Sequence, residues 1–523
     1  MARNIFNSIK LSGVKSSKFD LSHDLKLSFS MGELVPTTVM DVIPGDIVNI
    51  STENMLRFAP LIAPVMHRMK VHTHYFFVPN RLVWPEFTKW ITGDTNVEAP
   101  ISILGTAGTY PIGSIADYLG IPPQAPPTED IKWSPIPAAA YALIYDEYYR
   151  DQNVQDDGFK FAPLMPGDNN TYYDSFVADP PLKRAWQHDY FTSALPFAQK
   201  GQAVQIPLVN DEGLPVYYEN QPGSADAGQF RKASDGSIIT GANNVTNASG
   251  PSPLSASMHV GSDPAAYDPN GTLRVDVQGN ATDINTLRRA FKLQEWLEKN
   301  ARGGTRYVES ILSHFGVKSS DARLQRPEYI GGDTQLMTIG EVLATAQSTD
   351  DGIAVGSMAG HGISVGGGNR FSYRAEEHGY IIGIISVRPD TAYQDGLHRH
   401  FTRFDRLDYA WPLLANIGEQ EVLQKELYMK SENPNATFGY VPRFAEYKFM
   451  NSRVAGEFRT SLAYWHLGRI FASDPSLSSE FIECNPDTRI FAVTDPSEDH
   501  IYAHIYNNIT AVRKLPKYGI PQL

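Results

Sequence analysis

"HRMKVHTHYFFVPNRLVW", residues His67–Trp84, holds three histidines, and two of them, His72 and His74, are one residue apart. In an extended chain side chains alternate between two faces. Met69, Val71, Thr73, Tyr75 and Phe77 therefore share one face, while Arg68, Lys70, His72 and His74 share the other. The stretch reads as a β-strand with an apolar face toward a core, ended by Pro79, which has no amide hydrogen to donate to a ladder. An imidazole pair on one strand face is also half of a metal site in a small-barrel enzyme. That site needs a carboxylate close behind the second histidine, but positions 78 and 79 are Val and Pro and the nearest acid is Glu86. Arg68 and Lys70 on the same face repel a cation. No metal is assigned, and the polar face is expected at a contact surface with another chain.

The flanking sequence extends the strand reading. "DLKLSFSMGELVP" alternates Leu25, Leu27 and Phe29 with polar neighbours and turns at Met31-Gly32. "VMDVIPGDIVNIS" places a Pro44-Gly45 turn between two β-branched runs, a hairpin-like pattern. "HGISVGGGNRFSYR" reads as strand, glycine turn, strand, and "GYIIGIISVRPD" is apolar on both faces, as in a strand buried on both sides. Two stretches are helical: residues 135–153, and "DINTLRRAFKLQEWLEKNARGG" at 283–304, stopped by Gly303. Many strands, few helices and long excursions between them predict a β-sandwich or barrel with elaborated loops.

Composition narrows the class. The chain has 523 residues, 42% of them hydrophobic, enough for a substantial core. The single cysteine, Cys484, forms no intrachain disulfide and fits a reducing compartment. The apolar runs "FAPLIAPVM" and "YIIGIISV" are far shorter than the ~20 residues a spanning helix needs, and the first residues lack a secretory signal's apolar core. A net charge of −13 speaks against a general nucleic-acid binder. Its distribution says more: Arg3, Lys10, Lys15 and Lys18 lie in an acid-free start, and Arg513, Lys514 and Lys517 in an acid-free last stretch. Those basic ends are candidates for facing a nucleic acid, with Phe6, Phe19 and Tyr518 placed to stack on unpaired bases; strapping neighbouring subunits is the alternative.

Residues 209–285 carry nine acids against three bases and are rich in Gly, Ser, Asn and Pro. Such a composition buries little surface, so the segment is expected to be an exposed insertion. Other chemical readings are thin. His398 and His400 repeat the spacing of His72 and His74, but Arg399, Arg403 and Arg406 surround them and favour a salt-bridged surface. Cys484 in "IECNPD" reads as a small buried residue rather than a nucleophile. Gly366, Gly367 and Gly368 lack the Lys-Ser/Thr of a phosphate loop. "DPNGTLRVD", from Asp268, has its glycine at the wrong place for a calcium loop. No catalytic constellation and no cofactor site emerge.

Motifs spread along nearly the whole chain carry a resemblance. "FDLSHDLKLSFSMGELVP", "PGDIV", "YFFVPNRLVW", "YALIYDEYYRDQN", "DYFTSALPFAQKG", "ARGGTRYVESILSHFGVKSSDARLQRPEYIGG", "LANIGEQEV" and "LPKYGIPQL" occur in this order. Together they resemble the major capsid proteins of microviruses, small single-stranded-DNA phages, and most of all the gokushovirus branch. The resemblance implies a viral jelly roll, an antiparallel β-sandwich of eight strands in two facing sheets, with long insertions and a few helices. It implies one capsid domain over residues 1–523, with 209–285 as a protrusion at the threefold axes. It also implies self-assembly into a T=1-type icosahedral shell around circular single-stranded DNA, made in the bacterial host cytoplasm and located in the virion. The implied partners are other copies of the chain, the genome, a small basic packaging protein, a minor or pilot protein, and a host receptor. Two readings from other classes stay open on residues alone: a cupin-like metalloenzyme using His72 and His74, and a carbohydrate-binding jelly roll.

Overall fold

The structure is a computed structural model. It describes residues 16–94, 96–104, 109–123, 129–155, 158–201, 284–304, 306–345, 356–493, 495 and 498–518, together with short strands between 216 and 275. The chain divides into two compact units, Met1–Lys200 with Glu298–Leu523, and Gly201–Leu297.

Ten strands build two antiparallel sheets in the larger unit: β1 (Ser17–Asp20), β2 (His23–Phe29), β3 (Val35–Val42), β4 (Ile47–Phe58), β5 (Met69–Pro79), β6 (Glu328–Leu336), β7 (Thr338–Leu343), β8 (Met358–Arg374), β9 (Gly379–Pro389) and β10 (Ile501–Arg513). The six-stranded sheet runs β1-β10-β4-β8-β7, with β2 also on β10; the four-stranded sheet runs β6-β5-β9-β3. Part of the excess over eight has a local reason. Strands β1 and β2 lie end to end along the same partner, one pairing with Thr510–Arg513 and the other with Ile501–Asn507. They form one edge strand broken at Leu21 and Ser22.

The sheets pack face to face. One apolar core joins Phe29, Leu56, Ile501 and Ile505 of the larger sheet to Val71, Ile385 and Val387 of the smaller. A second joins Val48, Ile50 and Ile509 to Tyr75, Phe77 and Ile381. Each such side chain contributes about 1.5–3 kcal/mol on burial. A third core lies on the other side of the small sheet: Phe76, Val78, Ile382 and Ile384 pack against α1 (Ile136–Ile144) and α2 (Asn170–Ala178). Helix α1 is almost wholly buried, Ala138–Ala142 included, so it must be covered on all sides. Strand β9 is therefore buried on both faces, as its double apolar pattern indicates.

Two local readings change. The Pro44-Gly45 turn is no hairpin, because β3 and β4 belong to different sheets and the turn carries the chain between them. Gly45 takes φ +94 and Asp46 closes the turn by accepting from the Ile43 amide. Gly366–Gly368 is also no turn. It lies inside the single strand β8, at a bulge between Gly367 and Arg370, and a Cβ on Gly366 would collide with Gln335.

In the smaller unit, residues 230–232, 263–267, 258–260 and 246–247 form a four-stranded sheet in that order, and 273–275 pairs with 216–218. Most of the expected insertion at 209–285, including the start of "DPNGTLRVD", lies outside the described residues. Among the described residues no helix is long and apolar enough to cross a membrane.

Candidate functional site

Strand β5 holds His72 and His74 opposite Ser386 and Ile384 of β9 and opposite Thr334 and Gly332 of β6. The even-numbered face that carries them also carries Phe76 and Val78, and it turns toward the helical layer rather than outward. His72 is buried, with Nδ1 sharing a 3.0 Å hydrogen bond with Thr334 Oγ1. The His74 ring stacks on Tyr149, centroids 6.0 Å apart, and its Nδ1 meets the Tyr149 hydroxyl at 2.7 Å. Gly332 has no Cβ to push this ring off β6.

Burial, followed by the nearby Arg184 and Arg388 guanidiniums, lowers the pKa of His74 to about 4 and that of His72 to about 2. Both imidazoles are neutral beside two cations, and each Nδ1 has a hydroxyl partner within the chain. The same environment disfavours a bound cation. Among the described residues no group of three or more His, Cys, Asp or Glu is placed to hold a metal. Arg68 is the exposed member of the polar face; Lys70 is half-buried and pairs with Asp390 at 2.7 Å.

The other candidates resolve in the same way. His398 caps a 3-10 turn that contains His400, with rings 4.1 Å apart; Arg399 pairs with buried Glu426 at 2.9 Å and Arg403 with Glu446 at 3.8 Å, the salt-bridged surface expected. Burial pushes the Cys484 thiol up to about 12, which keeps it protonated and unreactive.

The two basic ends meet. Pairing of β1 with β10 sets Lys18 opposite Val512, next to Arg513. Lys18, Lys514 and Lys517 are exposed, and Lys517 Nζ sits 5.9 Å from the ring of exposed Tyr518. Arg513 is engaged within the fold, with Nε 3.1 Å from fully buried Asp46 and another donor bonded to the Asp41 carbonyl. Phe19 is half-buried, while Arg3, Phe6, Lys10 and Lys15 lie outside the described residues. Sequence reasoning missed Arg374. Ile47 pairs with both Arg374 and Val512, so Lys18, Val512, Ile47 and Arg374 form one row across four strands, with Lys18 and Arg374 exposed. The signal was available in the outward phase of β8.

A broad antiparallel sandwich with no assembled catalytic group among the described residues suits a structural chain, and comparison with known proteins decides which. The model of the capsid protein (F protein) family matches residues 7–523. The chain belongs to this family. It is similar to capsid protein VP1 of Bdellovibrio phage phiMH2K, 38% identical over 97% of this chain and 95% of the relative. It is also similar to capsid protein VP1 of Chlamydia phage 1, 33% identical over 100% and 98%, and to that of Spiroplasma virus 4, 29% identical over 99% and 97%. As a member of the capsid protein family, the chain is a structural protein of the virion and not an enzyme. The cupin-like alternative falls with that finding.

Proposed function

We propose that copies of this chain close into a T=1-type icosahedral shell around a circular single-stranded DNA genome, in the cytoplasm of a bacterial host. The observation that carries the reading is the capsid-family match over almost the entire chain, on a sandwich of two antiparallel sheets. Lys18, Lys514 and Lys517, with Arg374 in the row of Lys18, belong to the DNA-facing surface, together with Arg3, Lys10 and Lys15. These cations neutralise phosphate without reading bases. A chain of net charge −13 leaves most of the genome's charge to another component, which supports a small basic packaging protein as partner. The virion also carries a minor or pilot protein in this reading, and Arg68 is available for contact with a second copy. Residues 209–285 serve as the outer protrusion that meets the host receptor.

Reconstruction of genome-filled particles tests the arrangement. Nucleic-acid density against Lys18 and Lys514, with 209–285 on the outside, is the expected result; the reverse orientation refutes it. Shortening 209–285 should leave the shell intact and impair attachment.

A further inference from the structure

We infer that residues 399–417 form the arm through which one copy of this chain docks on the next. The inference rests on the shell-protein reading and names the surface that reading requires.

The segment joins β9 to the strand Glu419–Leu423 through three short 3-10 turns, at 399–402, 406–408 and 412–414. Six of its large apolar side chains face solvent: exposure rises from 51% at Leu407 and Trp411, through 61% at Phe401 and 64% at Ile417, to 89% at Phe404 and Leu413. None of these six joins any of the four apolar cores. At about 150–250 Å² for a large side chain, the exposed portions amount to roughly 800 Å². A standard protein interface buries about 800 Å² on each partner.

The arm is also held in shape before any partner arrives. Arg403 lies 4.2 Å over the Tyr447 ring and pairs with Glu446. Arg443 donates to the Leu407 carbonyl at 3.0 Å, and the Trp411 indole donates to the Arg406 carbonyl at 2.8 Å. The Asp408 carboxylate accepts from the Phe404 and Asp405 amides at 2.9 and 2.8 Å. A braced backbone that shows its apolar side chains outward has paid its ordering entropy in advance, which favours docking over collapse. Exposed Asp405 and Arg406 supply the polar fringe common around an apolar interface centre. A capsid-family chain assembles with other copies of itself, so a second copy is the occupant to which the proposal commits.

The double variant Phe404→Asp/Leu413→Asp tests the proposal. Neither side chain supports a core, so the chain should keep wild-type circular dichroism and melting while particle yield falls by roughly tenfold or more, the loss expected when two interface anchors are removed. Normal particle yield overturns the proposal. A second measurement uses a smaller change: Leu413→Cys, in a chain whose one native cysteine is buried. A maleimide should label it quickly in the free chain and slowly in particles. Equal labelling in both overturns the proposal. Failure of the wild-type chain to form particles at all overturns the shell reading instead.

Discussion

The chain contains two His-x-His pairs with the same spacing and opposite surroundings. His72 and His74 stand on a strand of the four-stranded sheet, neutral, beside two guanidiniums and under a layer of helices. His398 and His400 stand on a surface turn where Arg399 and Arg403 already have carboxylate partners. Spacing fixes which side chains share a face; what covers that face decides whether they are charged, buried or free to bind. Neither pair is a metal site, and the reasons differ. In the first, burial and cations disfavour positive charge. In the second, the available carboxylates are committed to arginine.

The sharpest way to break the comparison is to place a fixed charge in each position. His72→Arg adds a third guanidinium to a buried site that already holds Arg184 and Arg388, and should cost about 3–5 kcal/mol in chemical denaturation of the unassembled chain. His400→Arg, at an exposed position, should stay within about 0.5 kcal/mol. Equal costs would remove the distinction.

Acid gives the next largest effect. A histidine whose folded pKa lies below its unfolded value of about 6.5 takes up a proton on unfolding. Its stabilising contribution is complete above pH ~6.5 and is lost as pH falls toward about 4 for His74 and about 2 for His72. Glu33 acts oppositely: burial raises its carboxyl to about 7, so acid relieves a folded-state cost there. The informative quantity is therefore a difference between proteins. Between pH 6 and 5, wild type should lose stability more steeply than His72→Asn/His74→Phe, by up to about two protons in the linkage slope. Identical slopes would mean that both imidazoles titrate normally.

Tyr149→Phe sharpens the same site more gently. It removes the hydroxyl partner of His74 and should cost about 1 kcal/mol, read from the denaturation midpoint. Smallest in stability is Lys18→Ala/Lys514→Ala, on exposed side chains. Folding should be unchanged, while the salt dependence of single-stranded DNA binding loses about 0.7 in log–log slope for each phosphate contact removed. An unchanged slope would take these lysines off the DNA-facing surface.

Much of the sandwich was legible in period-two alternation, because strands with one or two buried faces repeat apolar residues in that phase. The apolar face of β5 and the double burial of β9 follow from residues alone. What alternation does not carry is the identity of the covering layer. The polar face of β5 looked outward only until the buried helix 136–144 was set against it. The glycine triplet looked like a turn because glycine serves both turns and bulges, and the nearby Gln335 comes from a remote strand. The basic ends were legible as composition. Their convergence was not, since it depends on β1 pairing with β10 across almost the whole chain, and neither was the loss of Arg513 to buried Asp46. Arg374 was missed because its strand was read as two.

Sedimentation of the purified chain under assembly conditions, with electron microscopy of the fast fraction, tests the central claim most directly. The account predicts a single fast-sedimenting species made of closed icosahedral particles of uniform diameter. A chain that remains a small oligomer under every assembly condition, with its virion partners present, would contradict it.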